Sequence, residues 1–455
     1  MSDASSDPTT AGPWRPPGGA VYRVKLALAA GLWASGLVLL FVDVPAAAPV
    51  RDAAFLLFLV LAFPAAKAMS RTLAVVGLVA AALLYLVYDD PMALVEAADR
   101  ALLFVIFLPA VFLLRETMNR SPESARAKAA FGELGPGRRI AGLTIGSHLM
   151  AAVMIIGALP VIQPFVSRQA DPALREELVR AAMRGFALSV LWSPFTVAMV
   201  FVLTQKPAVT LAQVILAGLP LTVLALAGAV FVDRRWAGVR AALPALVAFR
   251  SLALPIVVLV GLVVVIASLA PLSTLQIVAL VLPPLCLLRL LLVGRDASID
   301  ALRQAAIDLP RMGDELLIFT AALLLGALIA TSGAPEAAVW VLRLEVWPVA
   351  LVPLLLLLLG PILALVGLHP IVAGTVLFAL MLPLGDRLPD LIQIQIVLFG
   401  WMAGAMVSYA SLSMVVASSM FAIPLARLIL SVNLAFLFAL ALALAGIHAL
   451  WLGLA

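Results

Sequence analysis

Long apolar segments alternate with short polar stretches along almost the whole chain. A helix that crosses a lipid bilayer needs about 20 mainly apolar residues, and we find about eleven segments that meet this requirement. They lie near residues 24–43, 53–69, 72–88, 101–114, 185–204, 208–232, 252–270, 274–293, 315–333, 392–412 and 428–452. This pattern is typical of an all-α polytopic membrane protein.

Two further apolar stretches, near residues 140–165 and 346–385, are interrupted by Gly, Ser, His or Pro at their start or middle. A bilayer tolerates non-helical backbone only where it is buried in protein or lines a wet cavity. We therefore predict that each stretch is a re-entrant hairpin, which enters the membrane and turns back.

Composition supports a membrane location. Of 455 residues, 65% are hydrophobic and 12% are charged, whereas a soluble domain holds about 25% charged residues. Residues 1–22 differ, because they are polar, rich in Pro, Gly and Ser, and lack the apolar core of a signal peptide. We predict that they form a disordered cytoplasmic tail.

The basic residues predict the orientation of the chain. Lys and Arg collect in cytoplasmic loops. With the N-terminus inside and both hairpins returning to their own side, only five of the 29 basic residues lie outside, namely Arg51, Arg100, Lys206, Arg343 and Arg387. We expect a multi-pass protein of a bacterial-type cytoplasmic (inner) membrane, with its C-terminus outside. The pI near 9.8 reflects this orientation, and we expect no nucleic-acid partner.

The two halves of the chain resemble each other. The segment "ADRALLFVIFLPAVFLLRETMN" around Asp99 is similar to "GDELLIFTAALLLGALIATSGAPE" around Asp314, with Phe104 and Phe319 five residues after the acid. Each half continues with a hairpin, a helix dotted with polar residues and a long apolar helix. The predicted orientations are opposite, which is the inverted-repeat architecture of many secondary transporters.

This repeat divides the chain into five regions. They are the tail (1–22), N-terminal scaffold helices (23–71), repeat 1 (72–251, with a broken helix at 185–204), a linking helix (252–273) and repeat 2 (274–455, with a broken helix at 392–412).

Polar residues at the breaks predict a binding site. We expect hairpin tips at Ile145–Leu149 and Gly367–Ile371, where the free N–H groups of a following half-helix attract carboxylates. Hydroxyls beside a broken helix can bind a hard cation such as sodium, or a substrate. The candidate substrate- and ion-binding residues are Gly146, Ser147, His148, Ser193, Pro194, Thr196, His369, Pro370, Thr375, Ser408, Ser411 and Ser413.

Structural roles compete with this interpretation. A hydroxyl in a membrane helix often bonds back to its own preceding turn, and His148 or His369 can instead cap a hairpin tip. We interpret the acidic residues near span ends, Asp314 and Glu315 among them, as interfacial, and consider a proton relay only for Asp99 or Asp314.

Most of residues 70–452 resembles the ion transporter superfamily, which includes divalent anion/sodium symporters and the large membrane subunits of TRAP transporters. "ELLIFTAALLLGALIATSGAPEAA" is similar to its first repeat element, and "GLHPIVAGTVLFALMLP" to its hairpin and following helix. The resemblance implies an elevator mechanism and a homodimer. The sodium/dicarboxylate branch carries Ser-Asn-Thr at its tips, whereas this chain has Gly146-Ser147-His148 and Leu368-His369-Pro370. Histidine changes its charge near neutral pH, so proton coupling is the alternative to sodium.

We therefore expect a secondary active transporter that moves a small anionic organic metabolite and is driven by Na⁺ or H⁺. One alternative is the membrane subunit of a TRAP-like system, which needs a small membrane subunit and a soluble binding protein. Another is an envelope enzyme such as a lipid-linked sugar transferase, but we find no long outer loop and no nucleophile motif. We expect no enzyme activity and no cofactor, because no P-loop, metal cluster or redox motif is recognisable.

Overall fold

A computed structural model describes residues 19–42, 44–167, 171–270, 272, 274–344 and 346–454. Residues 1–18 of the predicted tail lie outside this part. The first helix begins at Ala20, so the predicted boundary at residue 22 is wrong.

The described residues form 21 α-helices and no strand, which confirms the all-α prediction. In the first half the helices are α1 (Ala20–Leu39), α2 (Ala48–Ala62), α3 (Ala68–Tyr88), α4 (Pro91–Asn119), α5 (Pro122–Glu133), α6 (Arg139–Met154), α7 (Ala158–Ser167), α8 (Pro172–Leu188), α9 (Val197–Gln205) and α10 (Leu211–Ala248). In the second half they are α11 (Arg250–Leu269), α12 (Thr274–Val293), α13 (Arg295–Asp308), α14 (Gly313–Thr331), α15 (Ala334–Leu342), α16 (Val352–Leu365), α17 (Pro370–Met381), α18 (Asp390–Val407), α19 (Leu412–Phe421), α20 (Leu425–Ile429) and α21 (Val432–Leu454).

Local sequence determines where the long helices begin. Asp90 accepts a hydrogen bond from the backbone N–H of Ala93, and Pro91 occupies the first position of α4. At α10, Thr210 and Gln213 form a reciprocal capping box. These side chains satisfy N–H groups that have no partner inside the helix.

Eleven helical segments among the described residues are long and apolar enough to cross a membrane, as predicted in number. The set differs in one member. The predicted crossing at 185–204 is broken, as predicted for this helix, because non-helical backbone around Pro194 separates α8 from α9, and it is not one of the eleven segments. The segment Pro370–Arg387 qualifies in its place.

Four helices are interrupted near their middle. The interruptions separate α6 from α7, α8 from α9, α16 from α17, and α18 from α19. Both predicted hairpin stretches thus fold as helix, turn and helix. In addition, α6 packs on α8, and α16 packs on α18.

The predicted position of the first tip is wrong. Residues Ile145–Leu149 lie inside the continuous helix α6, and the chain turns at Ile155–Gly157, where Ile155 has φ 50° and ψ −130°. The second turn lies where it is predicted, with Gly367 at φ 87° and Pro370 at the first position of α17.

Burial separates a central layer from a peripheral one. Helix α4 and the pair α18–α19 are largely buried, whereas α1, α2, α3 and α11 expose most of their apolar surface. Apolar side chains can remain exposed at the surface of a membrane protein because lipid, not water, surrounds them. Of the interrupted helices, α18–α19 therefore lies inside the protein, while α17 is only partly buried.

Candidate functional site

A cavity of about 410 Å³ lies where the interrupted helices meet. We call it the central cavity. Helices α3, α4 and α14 line one side of it, and residues beside all four interruptions line the other. Its polar and charged lining residues are Lys67, Ser70, Arg115, Ser189, Thr196, Asp314, Glu315, His369, Ser411 and Ser413.

Besides α3, whose N-cap is Lys67, three helices that follow an interruption begin at this cavity with a lining residue at their N-cap. These residues are Thr196 for α9, His369 for α17 and Ser411 for α19. The first N–H groups of a helix have no acceptor within it and carry partial positive charge. Three such termini in one cavity favour an anionic group such as a carboxylate.

His369 faces the cavity as a hydrogen-bond donor. Its Nδ1 accepts the backbone N–H of Ile371 at 3.4 Å. A neutral imidazole with an accepting Nδ1 carries its proton on Nε2. The side chain therefore caps α17 with one nitrogen and offers an N–H to a bound molecule with the other.

Charged residues at the mouth of the cavity are paired, with one exception. Asp314 accepts the backbone N–H of Lys67 at 2.9 Å, and the Lys67 ammonium lies 3.8 Å from its other carboxylate oxygen. Arg115 donates to Glu116 at 3.1 Å and also pairs with Asp308. Glu315 is the exception, because its Oε2 is buried without a hydrogen-bond partner.

The structure brings together five of the twelve predicted site residues. The residues that line the central cavity are Thr196, His369, Pro370, Ser411 and Ser413. The residues that do not line it are Gly146, Ser147, His148, Ser193, Pro194, Thr375 and Ser408.

His148 is the clearest departure from the prediction. It lies in the interior of α6, with Nδ1 3.2 Å from the Gly185 carbonyl oxygen and Nε2 accepting the Trp192 indole N–H at 3.2 Å. Both ring nitrogens are thus occupied. His148 links α6 to the end of α8, so the prediction that it faces the cavity from a hairpin tip is wrong.

Its neighbours Gly146 and Ser147 also have packing roles. Gly146 lies against the rings of Phe131 and Phe249, which leave no room for a side chain. The Ser147 hydroxyl donates to the Ala182 carbonyl at 2.8 Å. Small residues let membrane helices approach closely, and this explains the composition of the segment.

Two serines hold the interruptions beside the hairpin turns. Ser193 donates to the Ala152 carbonyl at 2.5 Å, near the end of α6. Ser408 donates to the Leu368 carbonyl at 3.0 Å, directly before His369. Ser193 and Ser408 therefore act on the cavity indirectly, through the backbone to which they donate. Pro194 lies in the interruption between α8 and α9 and does not line the cavity either.

Thr375 belongs to a different cavity. Its hydroxyl bonds back to the Ile371 carbonyl at 3.0 Å, as the structural alternative predicts. It lines a second cavity of about 120 Å³ together with Arg100, Gln205 and Lys206.

Sequence reasoning missed the charged mouth. Lys67 and Arg115 lie at the ends of predicted spans, and Glu315 was interpreted as interfacial. Only the spatial meeting of the start of α3, the end of α4 and the start of α14 places these residues on one cavity. One feature of the sequence points to Glu315. It is an acidic residue in the first turn of an apolar span, and that span belongs to the internal repeat.

The described residues contain no group of three or more His, Cys, Asp or Glu side chains that could hold a metal ion. No protein-family model and no curated protein matches the chain. The function is therefore inferred from the cavity itself.

Proposed function

We propose that this polytopic membrane protein is a secondary active transporter for a small organic anion. The observation that carries the proposal is the convergence of three helix N-termini on one cavity inside the bundle. The His369 N–H adds a donor for a carboxylate or a similar group, while the hydroxyls of Ser411 and Ser413 are bonded to each other and to the Ala405 carbonyl. The remaining wall is apolar and includes Trp401 and Phe319, which suits a small organic molecule.

We infer that the two halves are inverted repeats that surround this site. The separation along the chain between Thr196 and Ser411 equals that between Phe104 and Phe319, so each pair occupies corresponding positions in the two halves. The rings of Phe104 and Phe319 lie 5.0 Å apart, so the paired positions meet in space. Helix α4 ends at the cavity mouth whereas α14 begins there, which supports opposite orientations.

The second cavity supports alternating access. It lies at the far ends of α9, α14 and α17, which also border the central cavity. Phe201 separates the two, because its ring lies 5.6 Å from Trp401 on the central cavity and 5.9 Å from Phe378 on the second. We propose that the second cavity widens into the opposite vestibule when the central cavity closes.

The packing of the interrupted helices supports an elevator movement. Helix α18 packs on both α8 and α9 as well as on α17, so elements of both halves are in contact, while α17 also packs on α14 and α6 on α4. We propose that α8, α9, α17 and α18 form one unit that moves against α3, α4 and α14. The resemblance to the ion transporter superfamily leads to the same mechanism, and the absence of Ser-Asn-Thr tips favours an anion other than the dicarboxylates of its sodium-coupled branch.

The experiment that tests this function is thermal unfolding of the purified protein with small carboxylates, sulfonates and inorganic anions. A ligand at about 100 times its Kd stabilises the folded state by about 2.7 kcal/mol. We expect at least one organic anion to raise Tm and to enter proteoliposomes. Thr196→Val should reduce the shift, because it removes a cap hydroxyl at the cavity.

Thr144→Val is the matched control, because Thr144 is buried in α6 and bonds back to Ile140 outside the cavity. An anion shift that is equally reduced in both variants, or the absence of any shift and uptake, would contradict the proposal.

A further inference from the structure

Glu315 has no ionic partner in the central cavity. It lies in the first turn of α14 and is half-buried; its Oε2 is buried without a hydrogen-bond donor, whereas the carboxylate also accepts the N–H of its own backbone. An ionised carboxylate buried without a partner costs far more free energy than a neutral carboxylic acid. Ionisable side chains inside a membrane protein generally face a cavity and serve the movement of ions or substrates.

The cationic side chains that share the cavity with Glu315 are already paired with other carboxylates. The titratable groups that share the cavity with it are Lys67, Arg115, Asp314 and His369. Lys67 is held by Asp314, and Arg115 pairs with Glu116 and Asp308. His369 accepts a hydrogen bond at Nδ1 and is therefore neutral in this arrangement. Lys67 and Arg115 act on Glu315 only through space, since neither forms a salt bridge with it among the described contacts.

The start of α14 offers limited compensation. Its N-terminus stabilises negative charge, but Asp314 and Glu315 share that terminus. The neighbouring Asp314 carboxylate opposes a second negative charge at Glu315. A proton on Glu315 removes both the repulsion and the unpaired charge.

We propose that Glu315 carries the coupling proton of the transporter. It is a carboxylic acid while the cavity holds the anion, and it becomes a carboxylate when it releases H⁺ to water at the cavity mouth. The step breaks one O–H bond and leaves the electron pair on the carboxylate oxygen, so no further reactant is needed. This inference rests on the proposed transport of an anion.

The shared cavity explains how proton and anion are coupled. A carboxylate at Glu315 would place a negative charge in the space of about 410 Å³ that the anion occupies. Deprotonation must therefore weaken anion binding, and by linkage the bound anion must favour the protonated acid. We expect a change in affinity of about tenfold or more.

A proton suits this site better than a sodium ion. A hard cation needs several oxygen ligands, whereas a proton needs one. On α14 itself the next lining residues are Ile318 and Phe319, whose side chains offer no oxygen, and the oxygens of Asp314, Ser411 and Ser413 are engaged by Lys67, by each other and by the Ala405 carbonyl.

The first test examines protonation without any anion. Infrared difference spectra of the protein in liposomes are recorded between about pH 6 and about pH 8, with Glu315→Gln and the control Glu336→Gln, which changes an exposed acid in the first turn of α15 outside the cavity. We expect the wild type and Glu336→Gln to lose a protonated-carboxyl band as the pH rises, and Glu315→Gln to lack that band. A wild-type band that persists unchanged in Glu315→Gln, or no such band in the wild type, would overturn the proposal.

The second test examines coupling. Thermal shifts with succinate, lactate and sulfate are measured at both pH values, with and without sodium. We expect the apparent affinity of the wild type to fall about tenfold at the higher pH, and that of Glu315→Gln to be independent of pH. Affinity that follows sodium and not pH overturns proton coupling alone. If none of these anions produces a shift or uptake, anion transport and the coupling role fail together, while the infrared result still decides protonation.

Discussion

The two hairpins carry similar sequences but use their histidines differently. In α6–α7, His148 lies inside a continuous helix and both ring nitrogens are bonded. In α16–α17, His369 ends the turn and caps a helix at the central cavity. Proline explains the difference, because the residue before a proline avoids the helical conformation. His369 precedes Pro370 and has ψ 141°, whereas Leu149 follows His148 and the helix continues.

The comparison shows that small polar residues have two distinct uses in a membrane helix. Next to proline and a glycine with positive φ they mark a turn. Without proline they mark a close helix crossing, as Gly185 of α8 does against α6. A Cβ at Gly185 would lie 1.9 Å from the Thr144 carbonyl oxygen. The corresponding crossing of α16 with α18 is looser, because a Cβ at Gly360 would lie 3.0 Å from the Gly400 Cα.

The largest expected effect on stability comes from adding a side chain at the glycines of these helix crossings. Gly185→Ala should destabilise the fold by about 3 kcal/mol, because backbone atoms of α6 must move. Gly360→Ala should cost about 1 kcal/mol, since a small shift relieves the contact. Thermal unfolding in detergent measures both. Equal losses of stability would show that the two hairpins do not differ in packing.

Replacing the two histidines should separate stability from binding. His148→Ala should cost about 2 kcal/mol, because it leaves a cavity and removes the partners of Trp192 and the Gly185 carbonyl. His369→Ala should cost about 1 kcal/mol for the lost cap but weaken the anion-dependent shift in Tm. Stability and anion shift are read from the same melting curves. A large loss of anion binding in His148→Ala with unchanged stability would reverse the assignment.

The sequence predicts features that depend on local composition. Apolar length identifies most of the segments that can cross a membrane, and both predicted hairpin stretches contain a turn between two helices, which needs only a break within an apolar run. The turn before Pro370 is also a local property. The break within 185–204 is predicted for the same local reason, since Pro194 interrupts the hydrogen bonding of its helix.

The sequence does not predict features that depend on which helices meet. The segment around Gly146 and His148 is compatible with a turn or with a close crossing, and only the packing of α6 on α8 decides between them. The role of Glu315 depends on Lys67 and Arg115 being engaged by other carboxylates. In the first half of the repeat Asp99 is followed by Arg100, whereas in the second half Asp314 is followed by Glu315. The repeat itself therefore does not predict an acid at position 315.

The smallest expected effect concerns the serines that connect each interruption to its hairpin. Ser193 and Ser408 have the same local geometry, since each also accepts a backbone N–H two residues ahead, at 3.3 Å from Phe195 and 3.1 Å from Ala410. Ser193→Ala should cost about 1 kcal/mol and leave anion affinity unchanged, because its acceptor, Ala152, lies in α6 before the turn.

Ser408→Ala should cost about 0.5 kcal/mol, a value within the range for hydrogen bonds between membrane helices, yet it should weaken anion binding. Its acceptor is the Leu368 carbonyl, and loosening that residue releases the His369 cap at the cavity. The anion-dependent shift in Tm and the stability without anion are measured for both variants. If Ser193→Ala weakens anion binding more than Ser408→Ala does, the first hairpin, and not the second, determines the shape of the binding site.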